Sequence, residues 1–258
     1  MKHARGDSTS PEEVELPLVG REQMLRRVSI ALDNHESLLL LGPAGAGKTR
    51  ILRSVLTRLR GRAAYLEAAP VLHDTLVRLG AALCEAAHRS FCEMVGDEAD
   101  PGRWLARQTS VHLRGLLRDA LESEPMPIFL DDVRGADHRA MRFFHYLYFT
   151  EGMTIVAAAR DFPSLGALRR LFWDPRHIVR LPPLRHSEAE HLFELAVSRF
   201  KLGEIDLDEF RPQVLKSAAG NPGQIIDMCR RAGLPQYRAG AHVKFSLVRI
   251  DTVTRFLR

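Results

Sequence analysis

The sequence is poor in lysine and cysteine, and it contains no long apolar run. Only five of its 37 basic residues are lysines, so arginine carries almost all of the positive charge. The three cysteines form no CxxC pair and no even set, which argues against a disulfide scaffold and against a cysteine-based metal or redox centre. Apolar runs such as residues 38–41 and 155–159 are far shorter than the roughly 20 residues that cross a bilayer, so we expect no membrane span.

The remaining composition is that of an ordinary folded chain. Apolar residues make up 45% and charged residues 27% of the 258 residues, which excludes wholesale disorder. Residues 1–13 are polar and include no apolar segment before a cleavage site, so the sequence predicts a cytoplasmic protein. The net charge of +5 is compatible with a polyanionic partner, but a solvated arginine-rich surface explains it more simply.

The order of apolar segments predicts an α/β fold followed by helices. Short apolar runs alternate with amphipathic helical segments up to about residue 181, which favours a parallel sheet covered by helices on both faces. After Pro182 the pattern becomes helical, which predicts a small all-helical domain. The predicted organisation is a flexible tail over residues 1–16, an α/β domain over 17–182, a helical domain over 183–235 and a C-terminal extension over 236–258.

Some individual elements are predicted in more detail. Two long helices, over about 73–91 and 103–121, are expected as an insertion or a long crossover. Residues 243–257 begin with β-branched alternation and are interpreted as a strand followed by a short helix. Ser187 is the expected N-cap of the first helix of the helical domain, with Glu190 as its capping-box partner. The helices expected in that domain cover 187–200, 207–218 and 224–232.

The strongest motif is the glycine-rich segment after the first predicted strand. It matches G-x-x-x-x-G-K-[ST] between a strand and a helix, which is the context that this phosphate-binding motif requires. Its glycines let consecutive backbone N–H groups surround phosphate oxygens at a helix N-terminus. We expect Lys48 to reach the β- and γ-phosphates and Thr49 to ligate Mg²⁺, so the predicted ligands are ATP and Mg²⁺. The predicted ATP contacts are Gly42, Pro43, Ala44, Gly45, Ala46, Gly47, Lys48, Thr49 and Arg50.

A second motif places two carboxylates at the end of another strand. The apolar run 128–130 leads into Asp131 and Asp132, and open α/β sheets bind ligands at the carboxyl ends of their strands. The segment resembles a Walker B motif. That resemblance implies that Asp131 holds Mg²⁺ and that Asp132 orients or polarises the attacking water. The simpler alternative is a strand end followed by acidic turn residues.

In this order the motifs resemble those of the AAA+ and STAND branch of P-loop ATPases, over roughly residues 18–233. Leu-Val-Gly-Arg-Glu at 18–22 looks like the hhGRE motif of that family, which implies that Val19, Gly20 and Arg21 lie near the adenine. The family has a helical lid after its α/β domain, so the resemblance implies that residues 183–235 form this lid.

Two further segments are similar to motifs of the same family. The stretch 154–161 resembles its sensor 1 strand, which implies that Arg160 contacts the γ-phosphate. Gly-Asn-Pro at 220–222 resembles its GxP motif, which implies that Pro222 packs against the adenine. Arg169 and Arg170 are candidates for an arginine finger offered to a neighbouring subunit, although a solvated helix face also explains them.

The function implied by these resemblances is that of an ATPase. We expect nucleotide binding and hydrolysis to shift the lid and to control a protein partner or self-assembly. One alternative is an ATP-regulated DNA-binding module of the helicase-loader or transposition-regulator type, which the arginine-rich segment 50–62 favours. Another is a slow ATP-bound signalling switch that does not turn over.

Overall fold

The computed structural model describes residues 16–69, 71–96 and 98–257, and its centre is a five-stranded sheet. The order across the sheet is β2-β3-β4-β1-β5, and all neighbouring strands are parallel. The carboxyl ends of β1, β3 and β4 therefore meet at one edge, where open α/β sheets bind ligands. The strands are β1 (Leu38–Leu41), β2 (Ala64–Glu67), β3 (Ile128–Asp131), β4 (Ile155–Ala159) and β5 (Ile178–Arg180).

Helices alternate with the strands of the sheet, and the chain after β5 is mainly helical. Two-residue strands β6 (Arg238–Ala239) and β7 (His242–Val243) form an antiparallel hairpin before the last helix. Short 3-10 helices occupy Pro163–Arg170, Pro175–His177 and Pro235–Tyr237. The α-helices are α1 (Glu22–Asp33), α2 (Lys48–Arg58), α3 (Leu72–Glu85), α4 (Arg89–Val95), α5 (Pro101–Arg107), α6 (Ser110–Ser123), α7 (His138–Tyr148), α8 (His186–Arg199), α9 (Leu207–Ala218), α10 (Pro222–Ala232) and α11 (Phe245–Leu257).

Both faces of the sheet are buried, as the continuous apolar strands predicted. Successive side chains of a strand point to opposite faces, so Leu39 and Leu41 join the apolar cluster formed with α3 to α7. Leu38 and Leu40 join the cluster on the other face, with residues of α1 and α2. The predicted α/β class with a parallel sheet is therefore confirmed, and the helices α8 to α11 have a separate apolar core.

Each of the two long helices predicted between β2 and β3 is wrong, because each region contains two helices. Ala87 adopts a left-handed φ of 51°, and the His88 ring accepts the N–H of Phe91 and caps α4. In the same way, the Thr109 hydroxyl caps α6. The apolar spacing continues across both breaks, because the helices on either side pack into the same core.

Two predictions near the C-terminus also need correction. Helix α8 begins one residue earlier than expected, and Arg185 is its N-cap because the Arg185 N–H donates to Glu188 at 2.8 Å. The predicted order of strand and helix over 243–257 is right, but the strand β7 ends at Val243 and the helix is long, because residues 245–257 are helical throughout. The β-branched alternation there is compatible with α11 because Val248 and Thr252, four residues apart, form its buried face.

Helix α11 packs on α9 and α10, so the C-terminal residues extend the helical region. Of the predicted flexible tail, only Leu16 lies within the described residues. No helix in the described part of the chain is long and apolar enough to cross a membrane.

Candidate nucleotide-binding site

The glycine-rich segment forms the loop between β1 and α2, as the motif predicts. Gly45 and Gly47 have φ values of 80° and 100°, in the left-handed region that favours glycine. The N–H groups of Gly45, Gly47, Lys48 and Thr49 donate to no acceptor among the described residues. Unpaired N–H groups at the start of a helix form a cradle for an anion, so this loop fits a phosphate group.

Lys48 is folded back onto its own loop. Its Nζ donates to the carbonyl oxygens of Gly42 at 2.6 Å and Pro43 at 3.1 Å. Burial lowers the pKa of Lys48, and the carboxylates of Asp131 and Asp132 oppose that shift. A phosphate oxygen is an anionic acceptor and forms a stronger hydrogen bond with an ammonium group than a carbonyl does. The side chain is therefore placed to exchange these carbonyls for a phosphate.

The predicted Mg²⁺ ligands are arranged in a way that fits the ion. Asp131 is 2% exposed, and its Oδ1 accepts the N–H of Asp132 at 2.9 Å. Its Oδ2 accepts the hydroxyl of Tyr65 at 2.7 Å, and burial together with this bond raises the pKa of Tyr65 to about 12. Thr49 lies in the first turn of α2 and is half-buried. Carboxylate and hydroxyl oxygens are the ligands that Mg²⁺ prefers.

Asp132 differs from its neighbour in both backbone and exposure. Its φ is 48°, a left-handed value that is strained for a residue other than glycine and that clusters at functional sites. Its carboxylate is exposed and pairs with Arg134 at 2.8 Å. One carboxylate is thus buried and fixed while the next is open to water, so the two differ in environment although they are adjacent in sequence.

A cavity of about 210 Å³ opens beside the loop. Its apolar lining comes from three parts of the chain and includes Val19, Leu192, Pro222 and Ile226. Several predicted ATP contacts line it together, namely Val19, Arg21, Gly45, Ala46, Gly47, Lys48, Thr49, Arg50 and Pro222. Among the described residues, the other predicted contacts lie outside this lining: Gly20, Gly42, Pro43 and Ala44.

Arg21 supports the loop as well as lining the cavity. Its guanidinium is buried, and Nε and Nη2 both donate to the carbonyl of Ala46, at 3.3 and 3.2 Å. Burial lowers the pKa of Arg21, while Glu188 and Glu22 oppose that shift. The arginine of the predicted hhGRE motif therefore stabilises the backbone of the phosphate loop at Ala46.

The start of α10 is bonded directly to the phosphate loop. The N–H of Gly223 donates to the carbonyl of Gly45 at 2.9 Å, and Asn221 Nδ2 donates to the carbonyl of Ala44 at 2.9 Å. A Cβ added to Gly223 would lie 2.6 Å from the Cα of Gly45, so only glycine allows this approach. The segment that resembles the GxP motif is thus in contact with the loop.

The candidate sensor and finger arginines have different positions. Arg160 follows β4, and its Nη2 donates to the carbonyl of Phe256 in α11 at 2.9 Å. The ring of Phe256 covers Gly45, where an added Cβ would lie 2.7 Å from Cε1. Arg169 and Arg170 are exposed at the end of a 3-10 helix that packs on α7, and they do not line the cavity.

Sequence reasoning missed Tyr65, Leu192, Gly223, Ile226 and Phe256 as neighbours of the site. The Tyr65 contact depends on β2 lying next to β3, which the sequence order does not reveal. Gly223 directly follows the Gly-Asn-Pro segment. The motif therefore indicates the correct turn of the chain, but it does not predict the contact between Gly223 and Gly45.

Comparisons with known proteins agree with this geometry. The family model described as AAA ATPase domain matches residues 17–153, just over half of the chain. No curated protein matches the chain. Among solved structures, a Walker-type ATPase of Pyrococcus abyssi is similar with a TM-score of 0.59 and 14% identity, over 92% of this chain and 72% of that chain. A variant of RuvB from Thermotoga maritima has a TM-score of 0.53 and 16% identity, over 92% and 70%.

A signal transduction ATPase with numerous domains (STAND), which carries a tetratricopeptide repeat sensor and comes from Pyrococcus horikoshii, has a TM-score of 0.54 and 17% identity. The match covers 92% of this chain but only 32% of that one. These structures share the fold of this chain, and its motifs together with the family model define a P-loop ATPase. Within that class, the chain belongs to the AAA ATPase domain family.

Proposed function

We propose that this protein binds ATP with Mg²⁺ on the loop between β1 and α2, hydrolyses it, and couples the nucleotide state to the helical lid. The lid comprises residues 183–235, which include α8 to α10. The observation that carries the proposal is the set of N–H groups at Gly45, Gly47, Lys48 and Thr49 that find no acceptor in the described part of the chain. They surround the position where a helix N-terminus favours a phosphate.

The chemistry follows from the residues around this cradle. Lys48 donates to the β- and γ-phosphates, while Val19 and Pro222 hold the base in the apolar part of the cavity. Thr49 and Asp131 would hold Mg²⁺, which would supply positive charge beside the phosphate oxygens. Asp132 accepts a hydrogen bond from the attacking water and orients it.

The contacts of α10 and α11 support the proposed coupling. Gly223 donates to the loop at Gly45, so a change in the loop on phosphate binding reaches α10 directly. Arg160 donates to the carbonyl of Phe256, and a γ-phosphate offers Arg160 a stronger acceptor. ATP and ADP then differ in their effect on α11, which gives a partner two states to distinguish.

Asp132→Asn separates binding from hydrolysis. We expect this variant to bind ATP as the wild type does and to lose about 10²- to 10⁴-fold in turnover, because the amide cannot act as the base. The measurements are ATP affinity by calorimetry and phosphate release at saturating ATP. The matched control is Asp119→Asn on the exposed side of α6. Unchanged turnover in Asp132→Asn removes Asp132 from the mechanism.

Self-assembly is proposed from the exposure of Arg169 and Arg170, which leaves both guanidinium groups accessible to a second copy. Turnover per protomer that rises with protein concentration, and that stops rising in Arg169→Ala or Arg170→Ala, supports a site completed between subunits. Constant and very low turnover supports the alternative of an ATP-bound switch.

DNA is retained as an alternative partner, because Arg58, Arg60 and Arg62 are exposed at the end of α2 and just after it. The test is stimulation of turnover by duplex DNA at several salt concentrations. Binding through phosphate contacts weakens steeply as salt rises, so stimulation that is absent at low salt excludes this alternative.

A further inference from the structure

A second cavity, of about 340 Å³, adjoins the nucleotide cavity. The two share Arg50, Gly223 and Ile226 in their linings, so they lie side by side between α2 and α10. The second cavity has an unusual charge balance. Its lining includes four arginines and a single carboxylate, namely Arg50, Arg199, Arg230, Arg255 and Asp227.

The carboxylate of this cavity, that of Asp227, accepts hydrogen bonds from three arginines. Asp227 is 3% exposed, and its two oxygens accept hydrogen bonds from Arg230 at 2.6 Å, Arg231 at 2.7 Å and Arg255 at 2.6 Å. Asp251 lies 3.6 Å from Arg231, so the three guanidinium groups face two carboxylates and the cluster retains one uncompensated positive charge. Such a surplus is costly at a partly buried site unless water or an anion compensates it.

Two arginines of this cluster, Arg230 and Arg255, have further N–H donors. A guanidinium has five N–H donors. Within the described residues, Arg230 and Arg255 each give one N–H to Asp227 and form no other hydrogen bond. Their side chains are 42% and 58% exposed, so the remaining N–H groups are open to a ligand. The forked donors of arginine match the oxygens of a phosphate group in pairs.

The position of the second cavity indicates where a phosphate bound there would lie relative to the nucleotide. In the proposed function, the phosphates of the nucleotide lie on the loop and its base lies among Val19, Leu192 and Pro222. The second cavity joins the first at Arg50, directly after the Mg²⁺ ligand Thr49, and at Ile226, one turn along α10 from Pro222. A nucleotide bound in this way would bring its ribose, which links the phosphates to the base, next to the shared lining of the two cavities.

We propose that this arginine-lined cavity binds a second phosphate group beside the nucleotide. The phosphate is carried on the ribose of that nucleotide or is present as free inorganic phosphate, and the chemistry of recognition is the same for both. The proposal rests on the proposed function, because the nucleotide on the loop sets the position of its ribose.

Calorimetry with ADP and with ADP that carries an added 3′- or 2′-phosphate tests this inference. The ribose phosphate is expected to tighten binding by about tenfold in the wild type, as a charged hydrogen-bonded contact does. Arg230→Gln and Arg255→Gln are expected to abolish that gain and to bind plain ADP as the wild type does. The matched control, Arg103→Gln on the exposed side of α5, keeps the gain.

A second arm distinguishes the two sources of phosphate. If only free phosphate is bound, the ribose phosphates give no gain, whereas inorganic phosphate raises the affinity for ADP in the wild type and not in Arg230→Gln. Phosphate that merely competes for the loop lowers that affinity. The inference is overturned if neither ribose phosphate nor inorganic phosphate tightens ADP binding.

The controls separate this failure from that of the proposed function. If ADP binds to the wild type and is lost in Lys48→Ala while no phosphate effect is seen, only the second site is refuted. If ADP binds equally well to Lys48→Ala, the proposed function fails, and the inference that depends on it fails as well.

Discussion

Asp227 is the residue whose replacement tests the packing of α10 against α11 most sharply. It lies on α10, where it accepts hydrogen bonds from Arg230 and Arg231 of the same helix. It also accepts them from Thr252 at 3.0 Å and Arg255 at 2.6 Å in α11. Asp227→Asn keeps the shape of the side chain and removes its charge, so the arginines around this buried carboxylate lose their counter-ion.

The size of the effect follows from the pKa of Asp227. Burial alone would raise this pKa, but hydrogen bonds from Arg230, Arg231 and Thr252 outweigh burial and lower it from 3.8 to about 2. At about 1.4 kcal/mol for each tenfold change in proton affinity, the lowering corresponds to about 2 kcal/mol of folding free energy. Breaking a buried ion pair by removing one partner costs about 3 to 5 kcal/mol. We therefore expect Asp227→Asn to lower the free energy of unfolding at pH 7 by about 2 to 5 kcal/mol.

The lowered pKa of Asp227 also determines how its contribution to stability changes with pH. The pKa of Asp227 is lower in the folded than in the unfolded chain, so its contribution is complete above the unfolded value near 3.8 and is lost as pH falls toward about 2. The free energy of unfolding of wild type and variant, measured in urea, should therefore differ most at pH 7 and converge toward pH 2.

The control for this experiment is Asp119→Asn, which changes an exposed carboxylate on α6. It should alter the free energy of unfolding by less than about 0.5 kcal/mol. The reasoning is refuted if Asp227→Asn is as stable as the wild type at pH 7. It is equally refuted if the difference between the two proteins is the same at pH 7 and at pH 2.

Two further substitutions test the loop and its metal ligands. Tyr65→Phe removes the hydroxyl that fixes Asp131, and we expect the Mg²⁺ concentration needed for half-maximal turnover to rise about tenfold while metal-free ADP binding is unchanged. An unchanged Mg²⁺ requirement rules out this orienting role. Gly223→Ala forces the start of α10 away from Gly45, and we expect ATP affinity in calorimetry to fall about tenfold, whereas Gly115→Ala, which has open space around its Cβ, does not change it. Wild-type affinity in Gly223→Ala would show that this close contact is not needed.

The elements that the sequence predicts well are those with a local physical signature. The apolar runs around Leu40 and Phe129 fix buried parallel strands, and the glycine spacing before Lys48 fixes the loop. Arg21 and Pro222 were placed beside the cavity by resemblance alone, and the structure brings both to its lining.

The features that the sequence does not predict depend on distant parts of the chain. The break at His88 is invisible in the apolar spacing, because the two helices around it share one core. The Tyr65 to Asp131 bond requires knowledge of the strand order. The approach of Phe256 to Gly45 depends on how α11 packs on α10, which no motif records.

Equilibrium binding of Mg²⁺-ATP to the wild type and to Lys48→Ala is the most direct test of the central claim, that the loop between β1 and α2 is the nucleotide site. Lys216→Ala on the exposed side of α9 is the control, because it removes the same charge elsewhere. We expect the wild type and the control to bind equally, and Lys48→Ala to bind about 10- to 100-fold more weakly, as the loss of a charged hydrogen bond predicts. ATP binding by Lys48→Ala as tight as that of the wild type would contradict the assignment.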